Sequence, residues 1–156
     1  MIEIDVPGRG LLQFHHLVLD LNGTLATDGL VPPPVVDRVR ALCASLQVHV
    51  VTADTFGTAG TLEGLGARIV RLPPGDQVGA KATFVRALGR EQTMAIGNGM
   101  NDEALLREAA LGILVVGREG AAVRSLLAAD LLVTSIEDGL DLLASPKRLI
   151  ASLRTA

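Results

Sequence analysis

Tryptophan and tyrosine are absent from these 156 residues, and phenylalanine occurs three times. A chain so poor in aromatic rings has few stacking platforms for exposed bases. No basic stripe is present either, and the formal net charge is -3, which argues against a nucleic-acid partner. There is one cysteine, Cys43. It cannot form an internal disulfide, which fits a reducing compartment, and within VVDRVRALCASL it reads as a small core residue. No apolar run approaches the roughly 20 residues needed to span a bilayer. The start, MIEIDVPGRG, lacks a basic region followed by a long apolar core, so no leader peptide is expected. A soluble, cytoplasmic protein with no membrane partner is the expectation. What the chain does have is apolar bulk: 49% hydrophobic residues, 20% charged ones and a mean hydropathy of +0.42. That composition supports a large core and argues against disorder. No repeat, low-complexity segment or linker interrupts it, so residues 1–156 are expected to form one domain.

Ile2, Ile4 and Val6 alternate with Glu3 and Asp5, the pattern of a half-exposed strand, and PGRG followed by LLQFHH predicts a hairpin. LVLDL is then a continuous apolar run, as in a strand buried on both faces. Helical spacing follows from about Pro34 to Leu46, with Pro32, Pro33 and Pro34 stiffening the entry. VHVVTAD predicts a second buried strand, TFGTAGTLEGLG a short helix weakened by glycines, and ARIVRL a third strand. QVGAKATFVRALG is a helix ended by Gly89. TMAIG is a strand, NDEALLREAA a helix with an Asn/Asp cap, LGILVV a strand, REGAAVRSLLAA a helix and DLLVT a sixth strand. The remainder is helical, with Pro146 opening a final helix; Asp130 and Asp138 look like caps. Strands alternating with helices predict an α/β fold: a doubly wound, Rossmann-like, mostly parallel sheet with helices on both faces, preceded by a β-hairpin.

In such folds ligands bind beyond the carboxyl ends of the strands. The polar residues at those ends are Asp20, Thr52 and the run Gly97-Asn98-Gly99-Met100-Asn101-Asp102. Asp20 can serve as a nucleophile, as a metal ligand or as a turn cap. Gly23 allows a sharp turn behind it. Thr52 can donate to an anion or cap a helix, a role Asp54 could fill equally. Gly97 and Gly99 allow a tight turn, and Asn98, Asn101 and Asp102 place oxygens suited to a hard cation such as Mg²⁺, or to capping. The run begins like a dinucleotide loop but lacks the third glycine, and none follows the first strand. Lys81 stands early in its helix between Ala80 and Ala82, where a partly buried ammonium is feasible.

Taken in order, these segments resemble the haloacid dehalogenase superfamily of phosphotransferases. Asp20-Leu21-Asn22-Gly23-Thr24 is similar to its D-x-D-G-T motif, Thr52 to its second motif and Lys81 to its third. Gly97 to Asp102 is similar to its G-D-x-x-N-D cluster. The order and spacing agree over nearly the whole chain after the hairpin, and within the superfamily the chain looks most like the small soluble proteins related to the P-type ATPase phosphorylation domain. The resemblance implies that Asp20 attacks phosphorus to form an aspartyl phosphate. It implies Mg²⁺ held by Asp20, the Asn22 carbonyl, Asn98 and Asp102. Phosphate would be held by Thr52, Ala53, Lys81 and backbone N–H groups near Leu21 and Asn22, with Gly23, Thr24, Gly97, Gly99 and Asn101 supporting. Phosphoryl transfer of this kind rests on positioning and charge neutralisation.

Two positions depart from the pattern. The second acid of D-x-D is Asn22, and an amide cannot exchange a proton near neutral pH. That acid–base help is typically worth about 10²–10⁴ in rate, so slow hydrolysis is expected unless Asp54, Asp28 or a histidine substitutes. P-type ATPases carry Thr at this position and keep a long-lived phosphoenzyme; Asn could act likewise. Asn98 replaces the first acid of the fourth motif, which predicts weaker Mg²⁺ binding. At the two usual places for a cap domain the chain has only GTLATDGLVPP and LPPGDQ, so no cap is expected. An open site suits a macromolecular phosphorylated substrate, or a small one enclosed by neighbouring subunits of a homo-oligomer. Two other readings remain: a catalytically weak or inactive scaffold that binds phosphate or a partner protein, and a receiver-like domain phosphorylated on Asp20, which the N-G-T and G-N-G-x-N-D elements fit poorly. His15 and His16 point to opposite faces as adjacent strand residues, so a metal site there is not expected, and His49 reads as a strand residue.

Overall fold

The computed structural model describes residues 1–53 and 57–156. An antiparallel hairpin comes first, β1 (Ile2–Val6) paired with β2 (Gly10–Phe14). Its inward residues Ile4, Val6 and Phe14 are buried, whereas Glu3 and Asp5 face solvent. Six parallel strands follow: β3 (His16–Asp20), β4 (Gln47–Thr52), β5 (Arg68–Arg71), β6 (Thr93–Gly97), β7 (Leu111–Val115) and β8 (Leu131–Val133). Their order is β5-β4-β3-β6-β7-β8. The chain winds outward from β3 to β5, then returns to β6 and winds the other way. That reversal between β3 and β6 makes a crevice at their carboxyl ends, where Asp20 and Gly97 stand.

The helices are α1 (Pro33–Leu42), α2 (Gln77–Leu88), α3 (Glu103–Glu108), α4 (Val123–Ala128), α5 (Ile136–Leu143) and α6 (Pro146–Leu153). Strand alternation divides the core between two faces. Leu17, Leu19, Val48 and Val50 pack with α1, α5, α6 and the hairpin. Val18, Val51, Ala95 and Leu114 face the other way, against Val85 of α2 and Leu105 and Leu106 of α3. This double burial is why LVLDL reads as an unbroken apolar run. The expected doubly wound α/β sheet with an N-terminal hairpin is therefore what the chain forms.

Some elements are shorter than the sequence suggests. The TFGTAGTLEGLG segment forms only a 3₁₀ turn, Thr58–Leu62, among its described residues; Thr55 and Phe56 lie outside them. Gly57, Gly64 and Gly66 adopt positive φ and stop a regular helix. The helix expected from Arg118 begins at Val123, because Gly120 N–H donates to the Gly117 carbonyl and closes a turn first. Asp130 caps no helix; its carboxylate accepts from Gly112 N–H at 2.8 Å. Ser135 caps α5, accepting from Asp138 N–H at 3.1 Å. Residues 21–32, between β3 and α1, form a small loop in which Thr27 and Leu30 exchange backbone hydrogen bonds of 3.0 Å. Asp28 and Gly29 at its tip have φ of 51° and 76°, as a tight hairpin turn requires. Residues 72–76 join β5 to α2, so neither connection holds an inserted domain. No helix among the described residues is long and apolar enough to cross a membrane.

Candidate active site

Strand β3 ends on Asp20, which is 6% exposed. Its Oδ1 accepts from the Lys81 ammonium at 2.7 Å and its Oδ2 from the Thr24 hydroxyl at 3.2 Å. Lys81 lies in the second turn of α2 and is 1% exposed. A second carboxylate, Asp102 Oδ1, meets the same ammonium at 2.6 Å. The centre of the site is therefore one buried cation clamped between two buried carboxylates. Stripping water from three charges costs several kcal/mol each, and only close opposite charges with full hydrogen bonding offset it.

These contacts set the protonation states. Burial pushes the Asp20 carboxyl up to about 6, helped by the negative charge of Asp102 and opposed by Lys81 and the Thr24 hydrogen bond. Burial alone would pull the Lys81 ammonium down, but Asp20 and Asp102 outweigh it and raise it above the usual lysine value. At pH 7, above the Asp20 value of about 6, Asp20 is ionised opposite the Lys81 ammonium.

The loop after β6 is built around Asp102. Its Oδ2 accepts the N–H groups of Asn98 and Gly99, both at 3.0 Å. A Cβ at Gly97 would lie 2.6 Å from the Asp102 carboxyl carbon, so only glycine lets the chain pass this close. Asn98 Nδ2 donates to the Gly120 carbonyl at 3.2 Å, which turns Oδ1 toward the Thr24 hydroxyl, also at 3.2 Å. Gly23 has φ of 81°, and a Cβ there would lie 2.5 Å from the Asn98 amide nitrogen. The loop after β3 thus passes directly against the Asn98 side chain of the loop after β6. Asn101 does not face this centre; its Nδ2 donates to Gln77 Oε1 at 3.2 Å and ties the loop to α2.

Thr52 is buried at the end of β4, with Ala53 half-buried after it. Leu21 is buried, and its carbonyl accepts from the N–H of Ala26 at 2.9 Å. Asn22 is exposed, and its side chain makes no hydrogen bond among the described residues. Of the substitutes considered for the missing acid, Asp28 is exposed at the hairpin tip, His16 and His49 lie lower in β3 and β4, and Asp54 is outside the described residues.

The expected metal ligands differ in how far other groups already engage them. Asp102 is 0% exposed, with one oxygen on Lys81 and the other on two backbone N–H groups, so it holds the lysine and the turn. What does suit a cation is the meeting of Asp20 Oδ2 and Asn98 Oδ1 around Thr24. The hydroxyl has one proton and serves one of the two acceptors at a time. An oxygen-only set of one carboxylate, one amide and the nearby Asn22 carbonyl fits a hard divalent ion, with less charge than two acids would give. Among the described residues no three His, Cys, Asp or Glu side chains converge as a metal cluster. Sequence reasoning missed Gly120, whose carbonyl orients Asn98, and Ser125, whose buried hydroxyl donates to the Gly99 carbonyl at 2.6 Å. Neither belongs to a motif, and both act only through contacts made after folding.

The sheet has the fold of solved structures described as hydrolases of the haloacid dehalogenase superfamily. A protein described as a subfamily III A hydrolase of that superfamily, from Legionella pneumophila, superposes with a TM-score of 0.68 at 19% identity, covering 88% of this chain and 87% of the other. The 3-deoxy-D-manno-octulosonate 8-phosphate phosphatase of Moraxella catarrhalis, solved with magnesium, phosphate and the sugar, superposes at 0.69 with 16% identity over 90% and 94% of the two chains. More particularly, the chain belongs to the same family as the uncharacterised protein MJ0073 of Methanocaldococcus jannaschii. The two are 46% identical over 79 residues, which span 48% of this chain and 85% of the other. No family model matches the sequence.

Proposed function

We propose that this protein is a phosphotransferase or phosphatase that carries a phosphoryl group on Asp20. The observation that carries the reading is the buried Asp20–Lys81–Asp102 triad at the switch point of the sheet, with Lys81 2.7 Å and 2.6 Å from the two acids. A carboxylate held ionised by a fixed ammonium can attack phosphorus in line, and the same ammonium offsets charge that builds on the phosphoryl oxygens. Thr24 orients Asp20 through its hydroxyl, and Thr52 at the end of β4 would donate to a phosphate oxygen. Asp102 keeps Lys81 aimed at Asp20. Mg²⁺, held by Asp20, the Asn98 amide oxygen and the Asn22 carbonyl, would supply further neutralisation of the phosphate charge. The phosphatase of Moraxella catarrhalis, with magnesium and phosphate bound on the same fold, supports this reading.

Asn22 stands where a proton-exchanging acid would help the leaving group depart and activate water. An amide gives neither, so hydrolysis is slow and transfer to another acceptor competes. The site is open, and its substrate is a phosphorylated small molecule or macromolecule. The reducing-compartment reading of the lone Cys43 supports a cytoplasmic setting.

The test is release of phosphate from a generic phosphomonoester with added Mg²⁺, which Asp20→Asn should abolish. A rate unchanged by that substitution would sink the mechanism. Asn22, exposed and with no side-chain hydrogen bond among the described residues, favours one rival, a scaffold that binds without turnover. Beryllium fluoride with Mg²⁺ separates the two: an upward shift in melting temperature that is lost in Asp20→Asn supports a phosphoryl-accepting carboxylate.

A further inference from the structure

A cleft of about 570 Å³ lies beside the triad, within the usual range for small-molecule sites. One wall is the loop after β3, with Thr24 and Thr27. The other comes from the ends of β7 and β8, with Arg118, Thr134, Ser135 and Glu137. Thr24 belongs to both places, because its hydroxyl also touches Asp20 at 3.2 Å. A molecule with its phosphoryl group at Asp20 therefore has this cleft for its remainder.

Arg118 is the cation of the cleft. It is exposed in the turn between Gly117 and Gly120, and it has no carboxylate partner among the described residues. Most other arginines of the chain lie in ion pairs, as Arg38 does with Asp141 at 2.8 Å. The turn that carries it is fastened to the site twice. Asn98 Nδ2 donates to the Gly120 carbonyl at 3.2 Å, and Ala122 N–H donates to the Asn98 carbonyl at 2.8 Å. A guanidinium presents a fork of donors that matches a carboxylate or phosphate.

We propose that Arg118 is a specificity-determining residue that binds a second anionic group, a carboxylate or phosphate, on a phosphorylated small molecule lying in this cleft. Thr27, Thr134 and Ser135 line the same cleft and would supply polar contacts to such a molecule. Glu137 stands in the same cleft with the opposite charge and weakens the same interaction. The proposal rests on the phosphoryl-transfer reading above.

The test compares phosphomonoesters that differ only in a carboxylate: 3-phosphoglycerate against glycerol 3-phosphate, and 6-phosphogluconate against glucitol 6-phosphate. Wild-type protein should prefer the acid in at least one pair, expressed in KM. Arg118→Ala should lower that preference about tenfold, the size of one charge-assisted pair. Arg118→Lys should keep part of it, and Glu137→Gln should widen it. No preference in wild type, or a preference untouched by Arg118→Ala, overturns the proposal. Melting-temperature shifts with the same four compounds give a readout free of turnover. Turnover without any dependence on Arg118 sinks the cleft assignment alone. Binding that depends on Arg118 without turnover sinks the phosphoryl-transfer reading and leaves the cleft standing. Loss of both effects sinks both.

Discussion

At the carboxyl end of β3, Asp20 shares Lys81 with Asp102, so three charged side chains are in contact. Near the amino end of the same strand, His16 lies against His49 of β4, their ring nitrogens 3.3 Å apart and Phe84 edge-on to His49. Both clusters are enclosed, but they meet the cost of burial differently. Imidazole can shed its charge near neutral pH, and burial holds His49 at about 4, with the neighbouring His16 and Arg68 adding to the effect. His49 Nδ1 is buried without a partner among the described residues, a modest loss for a neutral group. Lysine and aspartate cannot neutralise so cheaply, so charge persists inside only where its counter-charges are fixed by the fold. The charged end is therefore the candidate site, and the neutral end packs as core.

Adding an acid to the charged end sharpens this contrast most. Asn22→Asp should raise turnover of a phosphomonoester by about 10²–10⁴, the usual worth of general acid–base help. A steady-state assay that finds no gain would place the limit elsewhere. Removing the cation comes next. Lys81→Met leaves two buried carboxylates facing each other and should cost about 3–5 kcal/mol in urea unfolding. Adding Asp102→Asn should recover part of that loss, and strict additivity of the two changes would show that the triad is not a unit.

The smallest effect lies at the neutral end. His49 titrates at about 4 when folded against 6.5 ordinarily, so the unfolded chain binds more protons between those values. Its contribution to stability is complete above about 6.5 and is lost as pH falls toward 4, with a slope of up to about 1.4 kcal/mol per pH unit. Asp20 runs the other way. Its folded value of about 6 lies above the ordinary 3.8, so its contribution is present below 3.8 and lost as pH rises through 6. The two offset each other in the wild type. His49→Gln removes one slope and should leave melting temperatures that fall as pH rises from 4 to 6. Parallel curves for variant and wild type would break the comparison.

The sheet was readable because a strand covered on both faces must be predominantly apolar, as LVLDL, TMAIG and LGILVV are. Asp20 and Thr52 were readable as polar residues closing such runs, and Lys81 as a lone lysine between two alanines. The orientation of side chains was not. Asp102 has the sequence context of a helix cap or metal ligand, and only the packing of α2 against the loop after β6 brings Lys81 to it. The oxygen of Asn98 is aimed by a carbonyl 22 residues further on, at Gly120. The helix at Val123 is short because a glycine turn takes the preceding residues, and glycines alone do not reveal whether they permit a turn or sit inside a helix.

The chain has two lysines, Lys81 and Lys147. Lys147 is exposed, whereas Lys81 is sealed between its carboxylates. An amine-reactive reagent therefore meets Lys147 in the native molecule and reaches Lys81 only when the centre opens. The rate of acylation at that one ammonium becomes a built-in gauge of how often the molecule breathes, with Lys147 as its internal reference.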